Sequence, residues 1–148
     1  MQAFILRFPL LIGLIALAQV SVAQQISLFN SDGDAIAYID VEEDLTIYLW
    51  GGKPMAYLDS DHDEGFHVYG FNGNHLGWFI DGIVYDHEGD AVGFKEGAIS
   101  MYTNYEPYKG YQEYSPYRSY QEYAPYTPYL SNTWSNTPLS LFLARGRD

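Results

Sequence analysis

Four glycines stand at equivalent places in the middle of this chain. They are Gly33, Gly52, Gly73 and Gly89. An apolar–aromatic pair precedes each at one fixed distance: Leu28-Phe29, Ile47-Tyr48, Val68-Tyr69 and Val84-Tyr85. An apolar–small–aromatic triplet follows each: Ile36-Ala37-Tyr38, Met55-Ala56-Tyr57, Leu76-Gly77-Trp78 and Val92-Gly93-Phe94. Self-similarity of this kind constrains a fold more than any single segment, because equivalent units must bury equivalent faces. Each unit reads as a β-hairpin, with aromatic and β-branched residues flanking turn chemistry. The centres are Ser31-Asp32-Gly33-Asp34, Gly51-Gly52-Lys53, Asn72-Gly73-Asn74 and Glu88-Gly89-Asp90. Asn72-Gly73 is the strongest turn signal of the four.

Side chains alternate along a strand. Strict alternation puts Ile36 with Tyr38, Met55 with Tyr57, Leu76 with Trp78 and Val92 with Phe94, and turns the small residues Ala37, Ala56, Gly77 and Gly93 the other way. Phe29, Tyr48, Tyr69 and Tyr85 are then expected to press into the room those small residues leave. Tyr38, Tyr57, Trp78 and Phe94 are expected to meet in one shared aromatic centre. A lone hairpin is marginal in water, and closure of several removes the open sheet edges. The expected fold class is therefore all-β: four β-hairpins arranged around a pseudo-fourfold axis, with an extended Tyr/Pro-rich C-terminal tail.

The segments around this domain have different chemistry. Residues 1–23 read as a secretory signal peptide: Arg7, the apolar run FPLLIGLIALA, then Ser21-Val22-Ala23 as the cleavage site. The hairpin domain occupies 24–99. Across 100–130 a tyrosine recurs at every third residue, from Tyr102 through Tyr105, Tyr108, Tyr111, Tyr114, Tyr117, Tyr120, Tyr123 and Tyr126 to Tyr129. That is the period of a polyproline II helix, and it lines the tyrosines along one edge. Two readings stand side by side: a low-complexity spacer, and an aromatic ladder that docks through Tyr105, Tyr108, Tyr111, Tyr114, Tyr117 and Tyr120. The last segment, 131–148, is expected to form a short helix over 138–144, capped by Thr137 and ended at Gly146.

Charge and composition exclude several function classes. The formal net charge is −12, and between Gln24 and Ile99 fifteen acids face only Lys53 and Lys95. Such a surface repels phosphate backbones, so no nucleic-acid partner is expected. The chain has no cysteine, which removes disulfides, thiol nucleophiles and thiolate metal sites. No cofactor fingerprint is present. The paired carboxylates sit at turns, where Asp stabilises the backbone locally, and no catalytic residue is assigned. Asp59, Asp61 and Asp63 begin like a calcium loop. The sixth position is Glu64 and the twelfth Gly70, where an EF-hand loop wants Gly and Glu. A solvated acidic connector is the expectation there, with those three residues kept as a weak calcium candidate. His62, His67, His75 and His87 lack zinc-motif spacing, although His75 and His87 flank the turns of neighbouring units. No metal is assigned to them.

The stretch LFNSDGDAIAYID…TIYLWGGKPMAYLD…VYGFNGNHLGWFIDGIVYDHEGDAVGF resembles the four-fold beta flower proteins, small exported proteins of Bacteroidota-type bacteria. The resemblance covers roughly residues 26–99 and extends to Trp134-Ser135 and Leu141-Phe142-Leu143. It implies four hairpins about a pseudo-fourfold axis and brings no catalytic residues. The chain is thus expected to be a non-enzymatic exported structural or interaction module, in the periplasm, in the cell envelope or secreted. No transmembrane span is expected after signal cleavage. The partner is an unknown envelope protein or a glycan. The alternative reading is a glycan- or cell-wall-binding module that uses exposed aromatics.

Overall fold

The computed structural model describes residues 24–60 and 65–147. The expected signal peptide, and Asp61, His62, Asp63 and Glu64 of the acidic connector, lie outside the described residues. The described residues form eight strands in chain order: β1 (Gln25–Phe29), β2 (Ala35–Asp40), β3 (Thr46–Leu49), β4 (Pro54–Ser60), β5 (Phe66–Gly70), β6 (His75–Ile80), β7 (Ile83–Tyr85) and β8 (Ala91–Phe94). Each pairs antiparallel with the next, and β8 pairs back to β1 through Phe29 and Phe94, so the sheet closes into a barrel. Among the described residues a single helix, α1 (Leu139–Ala144), follows near the end. Among the described residues no helix is long and apolar enough to cross a membrane.

The four glycine turns join β1 to β2, β3 to β4, β5 to β6 and β7 to β8. All four strand pairs carry the same irregularity. The register shifts at Leu28/Phe29, Ile47/Tyr48, Val68/Tyr69 and Val84/Tyr85, so Phe29 faces Ala35, Tyr48 faces Pro54, Tyr69 faces His75 and Tyr85 faces Ala91. One residue per pair is left over: Ile36, Met55, Leu76 and Val92. A bulge of this kind bends its strand and re-aims the extra side chain.

The bulges correct the alternation read from sequence. Met55, Leu76 and Val92 belong to the same buried cluster as Leu28, Ala37, Ala56, Val68 and Val84, and Ile36 packs against it. Members come from every strand, so this aliphatic cluster fills the barrel. Tyr38, Tyr57, Trp78 and Phe94 do not share that interior and form no common aromatic centre. They lie on the outer face in separate clusters: Phe29 with Phe94, Tyr57 with Tyr69 and Phe71, and Trp78 with Tyr85. Tyr38 stacks on Tyr48 at a centroid distance of 5.4 Å, and Tyr57 on Tyr69 at 6.2 Å. These rings are buried although they point away from the barrel axis.

The room beside Gly77 and Gly93 is taken by side chains of α1 and by strand carbonyls, not by the rings of Phe29, Tyr48, Tyr69 and Tyr85 expected from the sequence. A Cβ on Gly77 would strike the Tyr85 carbonyl and lie 3.1 Å from Phe142 Cζ, and one on Gly93 would lie 2.9 Å from Leu139 Cδ2. Leu139, Phe142 and Leu143 are fully buried in the barrel's aliphatic cluster, whereas Leu141 faces solvent. The helix plugs the turn end of the barrel, with Gly146 pressed against Gly70 and its carbonyl accepting from Asn72 N–H at 3.1 Å. Six residues are too few for a helix that stands alone. Burial of its three apolar side chains, at about 1.5–3 kcal/mol each, holds it.

The helix starts one residue later than 138. Pro138 (ψ 151°) occupies the N-cap, with no side-chain cap bond. Thr137 does not cap; its backbone N–H donates to Ser135 Oγ at 3.1 Å. Proline has no N–H to lose and its carbonyl accepts the first helical bond, from Phe142 N–H at 2.9 Å.

Two substitutions test the plug. Phe142→Ala is expected to lower unfolding free energy by about 3–5 kcal/mol, measured by chemical denaturation. Gly77→Leu is expected to abolish cooperative melting and near-UV dichroism.

Candidate functional site: a tyrosine girdle

After β8 the chain runs along the outside of the barrel without helix or strand through residues 101–131. It is bonded to each glycine turn in succession. Asn104 N–H donates to Gly33 O at 2.8 Å; Glu113, Glu122 and Ser131 N–H donate to Gly52, Gly73 and Gly89 O, each at 2.9 Å. Each donor lies nine residues after the last. A Cβ on Gly52 (φ +101°) would collide with the carbonyl of Tyr111. That turn is therefore glycine for its left-handed backbone and for the close approach of the girdle. The same collision recurs at the other three turns, with the carbonyls of Tyr102, Tyr120 and Tyr129.

The polar residues of the segment form its inner side. Lys109 Nζ lies 4.8 Å from the ring centroids of both Tyr38 and Trp50. Nine residues on, the Arg118 guanidinium lies 3.8 Å over Tyr57. Gln112 Nε2 donates to Asp40 Oδ2 at 2.9 Å, and Gln121 Nε2 to Asp59 Oδ2 at 3.1 Å. Tyr69 OH donates to the Glu122 carbonyl at 2.9 Å, and Trp50 Nε1 to the Pro107 carbonyl at 3.0 Å. Ser27 Oγ donates to the Glu106 carboxylate. The girdle thus roofs the buried outer aromatics with cations and amides, and each cation over a ring adds about 0.5–2 kcal/mol.

The tyrosines of the girdle all point outward. Tyr102, Tyr105, Tyr108, Tyr111, Tyr114, Tyr117, Tyr120, Tyr123, Tyr126 and Tyr129 are between 83% and 102% exposed. Surface aromatics scattered singly need no explanation, but a contiguous array does. These ten rings form a candidate contact surface.

Two smaller features lie beneath or beside it. His67 Nδ1 meets His75 Nε2 at 3.0 Å, and His75 Nδ1 meets His87 Nε2 at 3.0 Å. His75 is buried, and its backbone N–H donates to Glu122 Oε1 at 2.6 Å. The three rings make a chain from strand to turn, with one hydrogen between each facing nitrogen pair. The nitrogens face one another and do not converge on a point. No group of three His, Cys, Asp or Glu among the described residues is arranged to hold a metal. Trp78 packs edge-on against His75 at 4.9 Å and His87 at 5.7 Å. Its buried Nε1 has no hydrogen-bond partner. Of the calcium candidate only Asp59 is described, and it is engaged by Gln121.

Lys109, Gln112, Arg118 and Gln121 are the residues the period-three reading overlooked. A second period carried them: TNYEPYKGY, QEYSPYRSY and QEYAPYTPY, residues 103–129, repeat every nine. Nine contains three, so the tyrosines alone hide it.

A closed all-β barrel, plugged by one helix and belted by its own tail, is the class of protein this geometry defines. A family model described as 4-fold beta flower protein matches residues 26–143, and the chain belongs to that family. The matched span includes the girdle and most of α1. No curated protein matches the chain, and no solved structure matches it.

Burial raises the pKa of Tyr38, Tyr69 and Tyr85 above the usual phenol value. At Tyr38 the bond from Gln112 opposes the rise; at Tyr69 and Tyr85 the carboxylates of Asp59 and Asp81 add to it. A raised folded-state pKa means that the unfolded chain ionises first. The stability from these three groups is complete below the ordinary value of 10.0 and is lost as pH rises through their folded values. Melting temperature is therefore expected to hold through mildly alkaline pH and fall above about pH 10. Arg118→Ala is expected to cost about 1–2 kcal/mol, read in the same denaturation assay.

Proposed function

We propose that this chain is a non-enzymatic, exported interaction module of the cell envelope, and that its contact surface is the tyrosine girdle. One observation carries the reading: ten tyrosines stand fully or nearly fully exposed on a segment whose backbone and polar side chains are bonded to the barrel. A spacer has no need of such anchoring. Fixing the backbone beforehand removes part of the ordering entropy that docking otherwise costs. Tyrosine presents large amphipathic area with few rotatable bonds. The barrel, read as four equivalent hairpins around a pseudo-fourfold axis, is the scaffold that curves the girdle. Its acids keep the head soluble.

The partner we assign is a carbohydrate polymer of the envelope. A ring bare on both sides stacks on the C–H face of a sugar. Successive tyrosines, three residues apart, are spaced by roughly 9 Å in an extended chain, a spacing suited to a repeating linear polymer. The mature protein is expected to co-sediment with insoluble peptidoglycan or another envelope polysaccharide. Replacement of Tyr114, Tyr117 and Tyr120 by Ser is expected to weaken that binding at least several-fold while melting temperature stays within a few degrees. Undiminished binding in the triple variant would remove the girdle from the contact. Binding to an envelope protein in place of glycan would leave the surface assigned and change the partner.

A further inference from the structure

The girdle has three nine-residue units, and the barrel has four strand pairs. The units run outside the first three pairs. At the fourth, the chain leaves the repeat: Ser131 N–H still bonds Gly89 O, but Thr133 to Ser135 then pair with Ala91, and the chain turns into α1. The outer face of β7–β8 is left incompletely roofed. A cavity of 270 Å³ opens there, lined by Ile83, Tyr85, Phe94, Ile99 and Trp134, with Asn132 at its rim. Phe94 and Trp134 meet edge to face at 6.0 Å, which sets one wall.

The first two units show what this fold sets against the outer aromatics. Lys109 covers Tyr38 and Trp50, and Arg118 covers Tyr57. The third unit has Thr127 in that place, and the fourth pair has no unit. Among the described residues the cation–ring contacts involve Tyr38, Trp50 and Tyr57, not Tyr85, Phe94 or Trp134. The charge of the surroundings favours a cation. Asp81, Asp86, Glu88, Asp90 and Glu96 flank β7 and β8 against Lys95 alone. Asp90 Oδ1 accepts from Ser131 Oγ at 2.7 Å, at the cavity's edge, and the Asp81 carboxylate acts on the Tyr85 phenol.

We propose that this cavity binds a small organic ammonium head group, supplied from outside where the first two strand pairs receive Lys109 and Arg118 from the chain itself. Aromatic faces attract ammonium groups through the ring quadrupole, and a walled site lowers the cost of holding them. The volume lies just below the usual small-molecule range, which suits a head group more than a large ligand.

The test uses the full mature protein with choline as probe, followed by calorimetry and tryptophan fluorescence. Choline is expected to bind saturably, and its uncharged isostere, with carbon in place of nitrogen, about tenfold more weakly. Tyr85→Leu and Trp134→Leu are each expected to weaken choline binding about tenfold. Asn132 is exposed at the rim, so Asn132→Arg keeps the fold and is expected to abolish binding by supplying the chain's own cation. Equal affinity for choline and its isostere, no saturable binding by folded protein, or full binding in Asn132→Arg would overturn the proposal. Polysaccharide binding by the girdle is a separate readout, so either reading can fail alone.

Discussion

A sheet with apolar residues on both faces cannot remain open to water. Every strand here carries an aliphatic or small side chain inward and most an aromatic one outward, so closing the barrel solves half the problem. The remaining half falls to the last third of the chain. Residues 101–131 cover the outer rings, and α1 fills the turn end of the interior. Both depend on missing side chains: the turn glycines admit the backbone of the girdle, and Gly77 and Gly93 admit the side chains of Phe142 and Leu139. Head and tail are therefore packed as one body.

That dependence explains how the girdle combines order with exposure. Its cations, amides and several backbone N–H groups are spent on the barrel, and the large apolar groups it leaves to solvent are the phenol rings. A segment that used its tyrosines to bind the barrel would be held equally well and would present nothing. The division follows from a nine-residue frame in which every third residue points out, while Lys109, Gln112, Arg118 and Gln121 reach Tyr38, Asp40, Tyr57 and Asp59 and one backbone N–H per nine residues reaches a turn carbonyl. The fourth strand pair, without a unit of its own, is where the covering is incomplete.

Much of the fold was legible in the residues. The glycine turns, the strand pairs and the all-β class follow from the repeat, because turn chemistry and aromatic flanks act locally. Which face each residue takes did not follow, since one bulge per pair reverses the alternation and its cause lies in pairing across strands. The small residues correctly signalled a close neighbour. They did not say that it was Phe142 or Leu139, from far along the chain. His75 and His87 were visible as residues flanking neighbouring turns; the contact between them needs the closed fold, and that between His67 and His75 the β5–β6 register.

By itself the sequence determined the number of units, the place of each turn, the acidity of the head and the outward period of the tyrosines, all properties of short range or of composition. Only the tertiary structure decided where the tail lies. A period of three suits a free polyproline II rod as well as a bound one, and nothing local distinguishes them. The distinction comes from carbonyls at Gly33, Gly52, Gly73 and Gly89 that are brought to one end of a closed barrel. Their spacing in sequence is irregular, and only the closed barrel places them where a strictly nine-residue repeat can meet them.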